Sequence, residues 1–332
     1  MLYKHTLVFI SLLYGFLCSV SAAEDNAPQL SLPLACTIGV DCFIQNYVDA
    51  DTSLRYSDYR CGFLSYDDHR GTDFRPKSMD AIAQGVPVLA AADGKVRATR
   101  DEMDDISVRV LGKGAIKNRE AGNSVVIVHG DGWESQYAHL KKGSVAVHAG
   151  QTVTRGTVLG LVGLSGNTEF PHLHFEIRHQ GKAVDPFVGI NGGDACALGK
   201  QPLWSADTIN KIGYIATEVL AAGFTDHPLA ADEVAAETQT LPKTASALIF
   251  WLTVFGVQTG DMQVIDLFAP DGSMLLHKAI AIDHNMAQYR SFVGLKRHGE
   301  VWTTGDYRIS YQLLRQQHAE PILTKQWSVR VF

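Results

Sequence analysis

Dense basic runs, closely spaced cysteines and long hydrophobic stretches are all lacking in this sequence. Its 332 residues carry a net charge of −6 at neutral pH, so neither a nucleic-acid-binding surface nor attachment to an anionic membrane has electrostatic support. No Cys-x-x-Cys spacing occurs, which argues against a redox or metal role for the cysteines. The motif His-Glu-x-x-His is also absent, which excludes a thermolysin-like metal site. The remaining composition is that of an ordinary folded protein, long enough for two domains.

The most apolar run near the N-terminus, Leu7 to Val20, has the layout of a cleaved secretory signal. It is too short to span a bilayer comfortably, it follows Lys4, and it leads into the small residues 20–23 that signal peptidase accepts. A lipoprotein signal at Cys18 is disfavoured because the preceding residue is a bulky leucine. We therefore predict a signal peptide at residues 1–22, export, and no stable membrane insertion after cleavage.

Export would give the remaining four cysteines an oxidising surrounding. An even number of cysteines in such a compartment predicts two disulfides, and three pairings are possible. We favour Cys36–Cys42 together with Cys61–Cys196, because the second bond would tie the start of the middle domain to its exit.

Short apolar runs separated by Gly, Asp and Asn predict a mainly β protein. Residues 23–59 form a mixed, polar stretch that we interpret as an irregular N-terminal arm. Residues 60–190 predict a glycine-rich antiparallel β-domain. The segment at about 101–120 is interpreted as an insertion in this domain, and its charged residues favour a solvated surface loop over a lid beside the site. A linker at 191–206 leads to residues 207–332, whose regularly spaced strands and turns favour an immunoglobulin- or fibronectin-like β-sandwich.

Two local patterns in the middle domain predict hairpins. The apolar run 86–91 reaches the turn pair Asp93-Gly94 and continues into the short run 95–97, which is a hairpin signal. A strand at 124–129 turns at residues 130–132 into a returning strand at 133–140.

The segment Pro171 to Ile177 alternates between polar and apolar residues and therefore predicts a β-strand. Its apolar members face a core, while His172, His174 and Glu176 share the opposite face. Two imidazoles placed in this way project in parallel and can serve one metal centre. Taken alone, His-x-His on a strand more often marks two surface histidines.

A second short motif, His69 to Asp73, supplies the partners of that strand. A histidine and a carboxylate four residues apart can reach one ion, and Gly71 between them permits a tight backbone. Together with His174 they make a set of two imidazoles and one carboxylate, which suits one zinc ion per chain and leaves a fourth position open for water. His139 and His172 are then neutral imidazoles suited to accept a proton or to stabilise an oxyanion.

The ordered set of motifs resembles the lysostaphin-type (LytM-type) zinc endopeptidases, which cut peptide bridges in bacterial peptidoglycan. The resemblance covers about residues 60–187. It implies that zinc is bound by His69, Asp73 and His174 and that His139 and His172 are the catalytic pair. Besides these residues it rests on further segments in order: Gly85-x-Pro87-Val88, Asp93-Gly94-x-Val96, Gly122-Asn123, Tyr137 to Leu140 and Pro171 to Glu176.

The resemblance implies a zinc-dependent endopeptidase that hydrolyses peptide bonds in peptidoglycan stem peptides or cross-links. The protein is expected to be exported, with the periplasm favoured and secretion as the alternative, and the C-terminal sandwich is a candidate surface for a protein partner. The alternative is a catalytically inactive cell-wall-binding protein that activates an amidase, although such scaffolds lack part of the ligand set and this chain keeps all five residues. A second alternative is a lipoyl- or biotin-carrier-like barrel. Such a barrel needs an exposed acceptor lysine at a hairpin tip, and Lys95 is the candidate for that position.

Several other polar residues near the motifs are interpreted as structural or supporting. Tyr66 is a weak candidate for an auxiliary role beside the first ligand. Glu176 is expected to support the site rather than act as a general base, and Asn123 to fix a turn or orient a partner. His129 is expected to be structural, and the surroundings of Ser165 do not fit a nucleophile elbow.

Overall fold

The computed structural model describes residues 26–77, 79–229 and 238–332. The predicted signal peptide and its cleavage site lie outside these ranges. The described chain is mainly β, as predicted, with only short helices. No helix within the described ranges is long and apolar enough to cross a bilayer.

Strands and short helices alternate through the first part of the chain. The strands are β1 (Cys42–Asn46), β2 (Thr72–Pro76), β3 (Pro87–Leu89), β4 (Gly94–Arg100), β5 (Asn123–Gly130), β6 (Trp133–Leu140), β7 (Thr152–Val153), β8 (Val158–Leu161), β9 (Leu173–His179) and β10 (Lys182–Val184). The helices are α1 (Met79–Gln84), α2 (Val108–Leu111), a 3-10 turn (Lys113–Ile116) and α3 (Ala206–Lys211).

The site-bearing sheet has the strand order β1-β2-β9-β6-β5-β4-β7, with β10 paired to the end of β9. Its pairings are antiparallel, and a second small sheet of β3 and β8 packs beside it. The predicted alternation of β9 is confirmed, because Leu173, Phe175 and Ile177 are at most 1% exposed. These side chains fill the core below the sheet, which leaves the other face of β9 for polar residues.

The predicted hairpin between residues 124 and 140 is confirmed by the pairing of β5 with β6. The predicted hairpin at Asp93-Gly94 is wrong. The strand before it, β3, pairs with β8, and the strand after it, β4, pairs with β5 and β7. Gly94 serves a close approach instead, since a Cβ there would lie 2.5 Å from the carbonyl oxygen of Val128.

The N-terminal arm is not irregular throughout, contrary to the prediction for residues 23–59. Residues 42–46 form β1, an edge strand of the main sheet that pairs with β2 and is buried along its length. The pairing ends at Asn46, which lies opposite Asp73. The arm therefore completes the sheet beside the first sequence motif.

The insertion at 101–120 is ordered and has a small apolar cluster of its own. Met103, Val108 and Ile116 are buried together. Asn123 holds the insertion to β5, because its side-chain amide accepts from the Met103 N–H and donates to the Met103 carbonyl, both at 2.8 Å. Arg109 forms an exposed ion pair with Glu169 at 2.6 Å. The insertion thus reaches the loop that precedes β9.

The favoured disulfide pairing is confirmed. Cys36 is bonded to Cys42, and Cys61 is bonded to Cys196. The second bond closes a sequence separation of 135 residues around the site-bearing sheet.

The C-terminal part consists of two sheets over one apolar core. One sheet has the order β11-β13-β16 and the other the order β12-β18-β17-β14-β15. This arrangement agrees with the predicted sandwich, while its immunoglobulin or fibronectin kinship stays a prediction. The strands are β11 (Glu218–Thr225), β12 (Thr240–Leu241), β13 (Ala247–Val257), β14 (Met262–Phe268), β15 (Met274–Ala281), β16 (Met286–Lys296), β17 (Gly305–Leu314) and β18 (Leu323–Val331).

The two parts of the chain pack against each other. Phe43 of β1 and Phe255 of β13 lie with ring centroids 5.4 Å apart, and both belong to the core of the first part. The guanidinium of Arg75 donates to the side chains of Gln45 and Gln288, which come from opposite sides of the contact. The C-terminal sheets are therefore joined to the edge of the sheet that carries the polar face of β9.

Candidate metal centre

Three side chains from the two sequence motifs converge on one point of the exposed sheet face. His69 Nε2 lies 3.2 Å from Asp73 Oδ1 and 3.3 Å from His174 Nδ1. His174 Nδ1 lies 2.9 Å from the same carboxylate oxygen. The antiparallel register places Asp73 of β2 directly opposite His174 of β9, which explains how residues 101 positions apart meet.

The outer atoms of these side chains are held by the strand and loop that precede them. His69 Nδ1 lies 2.6 Å from the carbonyl oxygen of Tyr47, so this nitrogen carries the proton and donates it. Asn46 donates from its side-chain amide to Asp73 Oδ2 at 3.0 Å. Such outer hydrogen bonds fix the tautomer of an imidazole ligand and the rotamer of a carboxylate ligand. They leave His69 Nε2 and Asp73 Oδ1 directed at the centre.

Gly71 is required by the closeness of the imidazole of His174. A Cβ at this position would lie 2.6 Å from both Cε1 and Nε2 of that ring. Any side chain would push the ring away from Asp73. The expectation that Gly71 permits a tight backbone therefore has a specific cause.

Two further histidines flank the centre. The ligand atoms of His139, His172 and His174 lie within 4.8 Å of one another, and the rings of His139 and His172 are 4.8 Å apart at their centroids. His172 Nε2 lies 3.5 Å from Asp73 Oδ1. Both flanking histidines are only 6% exposed, so the structure brings together all five residues that the sequence singled out.

Each flanking imidazole has one nitrogen fixed by backbone. His139 Nδ1 donates to the Ser165 carbonyl at 2.8 Å, and His172 Nδ1 lies 3.0 Å from the carbonyl of Phe170. Since Nδ1 is the donor in both, Nε2 keeps a free lone pair in the neutral ring. His139 is also held in a left-handed backbone conformation, with φ of 63°, which for a non-glycine residue is a strained geometry typical of functional sites.

Burial and charge act differently on the titratable groups. Burial is the main cause that lowers the pKa of His139 well below the usual histidine value, and positive charge on His172 and His174 adds to it. His139 is therefore neutral at physiological pH. For His69, burial alone would lower the pKa, but the negative charge of Asp73 and a hydrogen bond to it reverse the balance and raise the pKa.

The carboxyl of Asp73 behaves as a group that faces positive charge. Its burial opposes ionisation, yet the interactions with the imidazoles of His69 and His172 hold its pKa well below the usual range. The centre thus contains an ionised carboxylate, which can attract a cation.

The donor set fits a metal ion. With Nδ1 of His69 donating to Tyr47, three lone-pair atoms point at one another across 2.9 to 3.3 Å, and they repel unless a proton or a cation lies among them. Ligands held about 2.1 Å from a tetrahedral ion lie about 3.4 Å apart, close to these separations. His69, Asp73 and His174 are therefore able to hold one metal ion.

The remaining sequence candidates take supporting places. Tyr66 stacks on His69 with ring centroids 4.2 Å apart. Ser165 is a structural residue, since its hydroxyl donates to the Leu140 carbonyl while its own carbonyl holds His139. His129 bridges the Asp93 carbonyl and the Ser135 hydroxyl, as a structural histidine would.

Lys95 lies inside β4, paired on both sides, and so is not at a hairpin tip.

Sequence reasoning missed the supporting role of Asn46 and Tyr47. Both lie in or just after β1, in the arm that was interpreted as irregular, and both are at most 4% exposed. The only signal available was the short run Phe43-Ile44, too brief to identify a strand. The loop residue Thr168, whose hydroxyl lies 3.1 Å from His172 Nδ1, carried no signal either.

Comparisons with known proteins agree with the motifs. Residues 67–186 match the model of peptidase family M23. The chain is 35% identical over 137 residues to an uncharacterized metalloprotease of Haemophilus influenzae. The aligned region covers 40% of this chain and 24% of that protein. It is 37% identical over 117 residues to the peptidoglycan DD-endopeptidase ShyA of Vibrio cholerae, covering 35% and 22%.

A solved structure of a zinc-containing peptidase from Vibrio cholerae is 29% identical and covers 43% of this chain and 39% of that one, with a TM-score of 0.28. The chain spans about a quarter or less of the length of these two curated relatives. The predicted resemblance is confirmed for the site-bearing segment: residues 67–186 match peptidase family M23, and the His69, Asp73 and His174 cluster fits the metal ion that this family implies.

Proposed function

We propose that the protein is a zinc-dependent endopeptidase that hydrolyses peptide bonds in peptidoglycan stem peptides or cross-links. The observation that carries the proposal is the convergence of a complete three-residue ligand set with two further buried histidines beside it. The naming of a similar protein as a peptidoglycan DD-endopeptidase supports the substrate class. One zinc ion per chain would be held by His69 Nε2, Asp73 Oδ1 and His174 Nδ1.

Zinc bound by these three groups would supply a Lewis acid that acidifies an attacking water and polarises the scissile carbonyl. His139 contributes a neutral Nε2 in a buried setting, because its Nδ1 is committed to the Ser165 carbonyl. His172 offers its own Nε2, which lies 3.5 Å from the Asp73 carboxylate. As a pair they take the proton of the water, stabilise the oxyanion and return a proton to the departing amine.

The rival proposal from the sequence is an inactive cell-wall-binding protein that activates an amidase. Such a protein needs no convergence of ligands, whereas here the ring nitrogens and the carboxylate meet within hydrogen-bonding distance. The intact set favours hydrolysis. An extracytoplasmic site of action, with the periplasm favoured, follows from the same substrate, and a protein partner for the C-terminal sheets remains part of the proposal.

The test is incubation of the purified mature protein with defined muropeptides. We expect new peptide termini, identified by mass spectrometry, in the presence of zinc and none after chelation. Restoration by added zinc would complete the result. Unchanged muropeptides under all three conditions, together with stimulation of a cell-wall amidase by the same preparation, would favour the rival.

A further inference from the structure

Arg75 connects the polar face of the sheet with the C-terminal part of the molecule. Asp73 and Arg75 alternate along β2 with the buried Phe74, so Arg75 lies on the same face as the metal centre. The antiparallel pairing of β2 with β9 ends at Phe74 and Leu173, which makes Arg75 and His172 the next residues of the two strands. A guanidinium is therefore placed close to one of the two flanking histidines.

The guanidinium of Arg75 is held by three neutral partners. Its Nη1 donates to the side-chain oxygens of Gln45 in β1 and Gln288 in β16. Its central carbon lies 4.3 Å from the centroid of the Phe170 ring. Within the described ranges Arg75 forms no ion pair with a carboxylate. Because a cation is attracted to an aromatic face, most strongly where water is excluded, this contact fixes the ring of Phe170.

Phe170 in turn supports His172 in two ways. The ring centroids of the two residues are 5.2 Å apart. The backbone carbonyl of Phe170 lies 3.0 Å from His172 Nδ1, and it also accepts from the Thr168 hydroxyl at 2.7 Å. A displacement of Phe170 would therefore turn the imidazole of His172 and move Nε2, the atom that the proposed chemistry uses.

The support behind Arg75 comes from the C-terminal part. Phe43 lies opposite Arg75 in the pairing of β1 with β2, and its ring packs on Phe255 of β13 with centroids 5.4 Å apart. Gln288 reaches Arg75 from the neighbouring strand β16. Residues of two C-terminal strands thus contact the sheet edge on which the guanidinium rests.

We propose that Arg75 is a positioning residue for His172 and that the C-terminal part anchors it through Gln288. Arg75 holds the ring of Phe170, and Phe170 fixes the imidazole through its carbonyl. This inference rests on the proposed function, in which His172 takes part in proton transfer. It adds that the C-terminal part contributes to turnover.

The main test is Arg75→Met in the full mature protein loaded with zinc, because methionine keeps an unbranched apolar side chain and removes the cation. We expect kcat for muropeptide cleavage to fall by about 10- to 100-fold and KM to change by less than about 2-fold, since orientation and not substrate binding is lost. Zinc content should stay at the wild-type value. Gln288→Ala should lower kcat by about 2- to 5-fold, because Gln45 still holds the guanidinium.

Arg60→Met is the matched control. The guanidinium of Arg60 lies 5.6 Å from the centre of the Tyr59 ring, so this variant removes a contact of the same kind from another aromatic residue. Its kcat and KM should equal those of the wild type.

A double-mutant cycle tests the route through Phe170. Phe170→Leu keeps the backbone carbonyl and removes the aromatic face. When Arg75→Met is added to Phe170→Leu, kcat should fall by no more than about 2-fold further, because the two changes break the same contact. An equally large effect of Arg75→Met in both backgrounds would show that Arg75 acts elsewhere, and would overturn the proposal.

A second measurement needs no cleavage and follows the ring proton of His172. In protein that contains isotope-labelled histidine, the Nδ1–H resonance is assigned by its loss in His172→Gln. Its exchange with water should be about 10-fold faster in Arg75→Met than in the wild type, because the hydrogen bond to Phe170 opens more often. Equal exchange rates would overturn the proposal.

The outcomes keep the two proposals apart. Failure of the wild type to cleave muropeptides would overturn the peptidase proposal, while the exchange measurement still decides the positioning of His172. Wild-type kcat in Arg75→Met, or loss of its zinc, would overturn the positioning role and leave the peptidase proposal standing. If Arg75→Met does not fold, Phe170→Leu and Gln288→Ala decide: reduced kcat with zinc retained supports the role, and wild-type kcat in both overturns it.

Discussion

The histidines of the candidate metal centre and two histidines of the C-terminal part are held in opposite ways. At the candidate centre, His69, His139 and His172 are at most 6% exposed, and each has its Nδ1 within hydrogen-bonding distance of a backbone carbonyl. In the C-terminal part, His277 and His284 have side chains that are 58% and 64% exposed and pair only with an aspartate close by.

Distance alone does not separate these arrangements. His277 Nδ1 lies 2.6 Å from Asp266, which is shorter than the 2.9 Å between His174 and Asp73. The difference is that His174 and Asp73 are joined by His69, and that outer hydrogen bonds from Asn46 and to Tyr47 fix Asp73 and His69. A histidine–aspartate contact marks a metal centre only where further ligands converge and where outer groups fix their orientation.

The largest expected effect comes from His174→Ala. Removal of one of three ligands should abolish zinc retention and lower the rate of muropeptide cleavage by at least about 1,000-fold, because too few ligands remain to hold the ion. Metal content measured by elemental analysis and initial cleavage rates provide the check. His277→Ala is the matched control and should leave both values unchanged. Loss of zinc from His277→Ala would contradict the view that only the buried cluster of the first part binds the metal.

A smaller effect on metal binding, but a large one on turnover, is expected from His139→Ala. Zinc should be retained at wild-type stoichiometry, while kcat falls by about 100- to 10,000-fold, since a positioned proton acceptor is lost. Metal analysis and steady-state kinetics on the same preparation separate the two roles. Wild-type turnover in this variant would remove His139 from the chemistry.

Two buried carboxyls sharpen the comparison further. The pKa of Asp73 is held low by histidine charges, whereas burial raises the pKa of Asp185 to about 7, with a further contribution from Asp58. One oxygen of Asp185 accepts from the Phe187 N–H at 2.8 Å, and the other has no hydrogen-bond partner among the described residues. For Asp185 no nearby histidine offsets the effect of burial, so the protonated form of its carboxyl is favoured.

A change at Asp185 should have the smallest effect on zinc binding and turnover, but the raised pKa of this carboxyl makes stability depend on pH. Between about pH 4 and 7 folded Asp185 keeps a proton that the unfolded chain releases, so the free energy of unfolding decreases as pH rises through this window. Asp185→Asn removes that dependence. At pH 8 the variant should be more stable than the wild type by up to about 4 kcal/mol, and at pH 4 the two should nearly agree. Urea denaturation of the metal-free proteins at both pH values measures this, and an equal difference at both would contradict the assignment.

The sequence predicted those features that depend on local pattern. The alternation at 171–177 predicts the strand and its polar face, and the spacing from His69 to Asp73 predicts two candidate ligands, which the structure brings together with His174. The turn at Asp93-Gly94 shows the limit, because a strand–turn–strand pattern does not say which strands pair. There β3 and β4 find partners far away in the chain.

The supporting contacts were beyond sequence reasoning for a similar reason. Asn46 and Tyr47 act through one amide and one backbone carbonyl, and neither group leaves a recognisable pattern. Their position is decided by the edge pairing of β1 with β2. The same holds for the carbonyl of Ser165, whose role depends on where the chain passes His139.

The pairing of β1 with β2 has a practical consequence for truncation. A fragment that begins at residue 60, where the motif-based boundary lies, would retain every predicted ligand. It would lack the amide that orients Asp73 and the carbonyl that orients His69. Shortened versions meant to preserve the centre should therefore begin ahead of Cys36, so that the edge strand and its disulfide are kept.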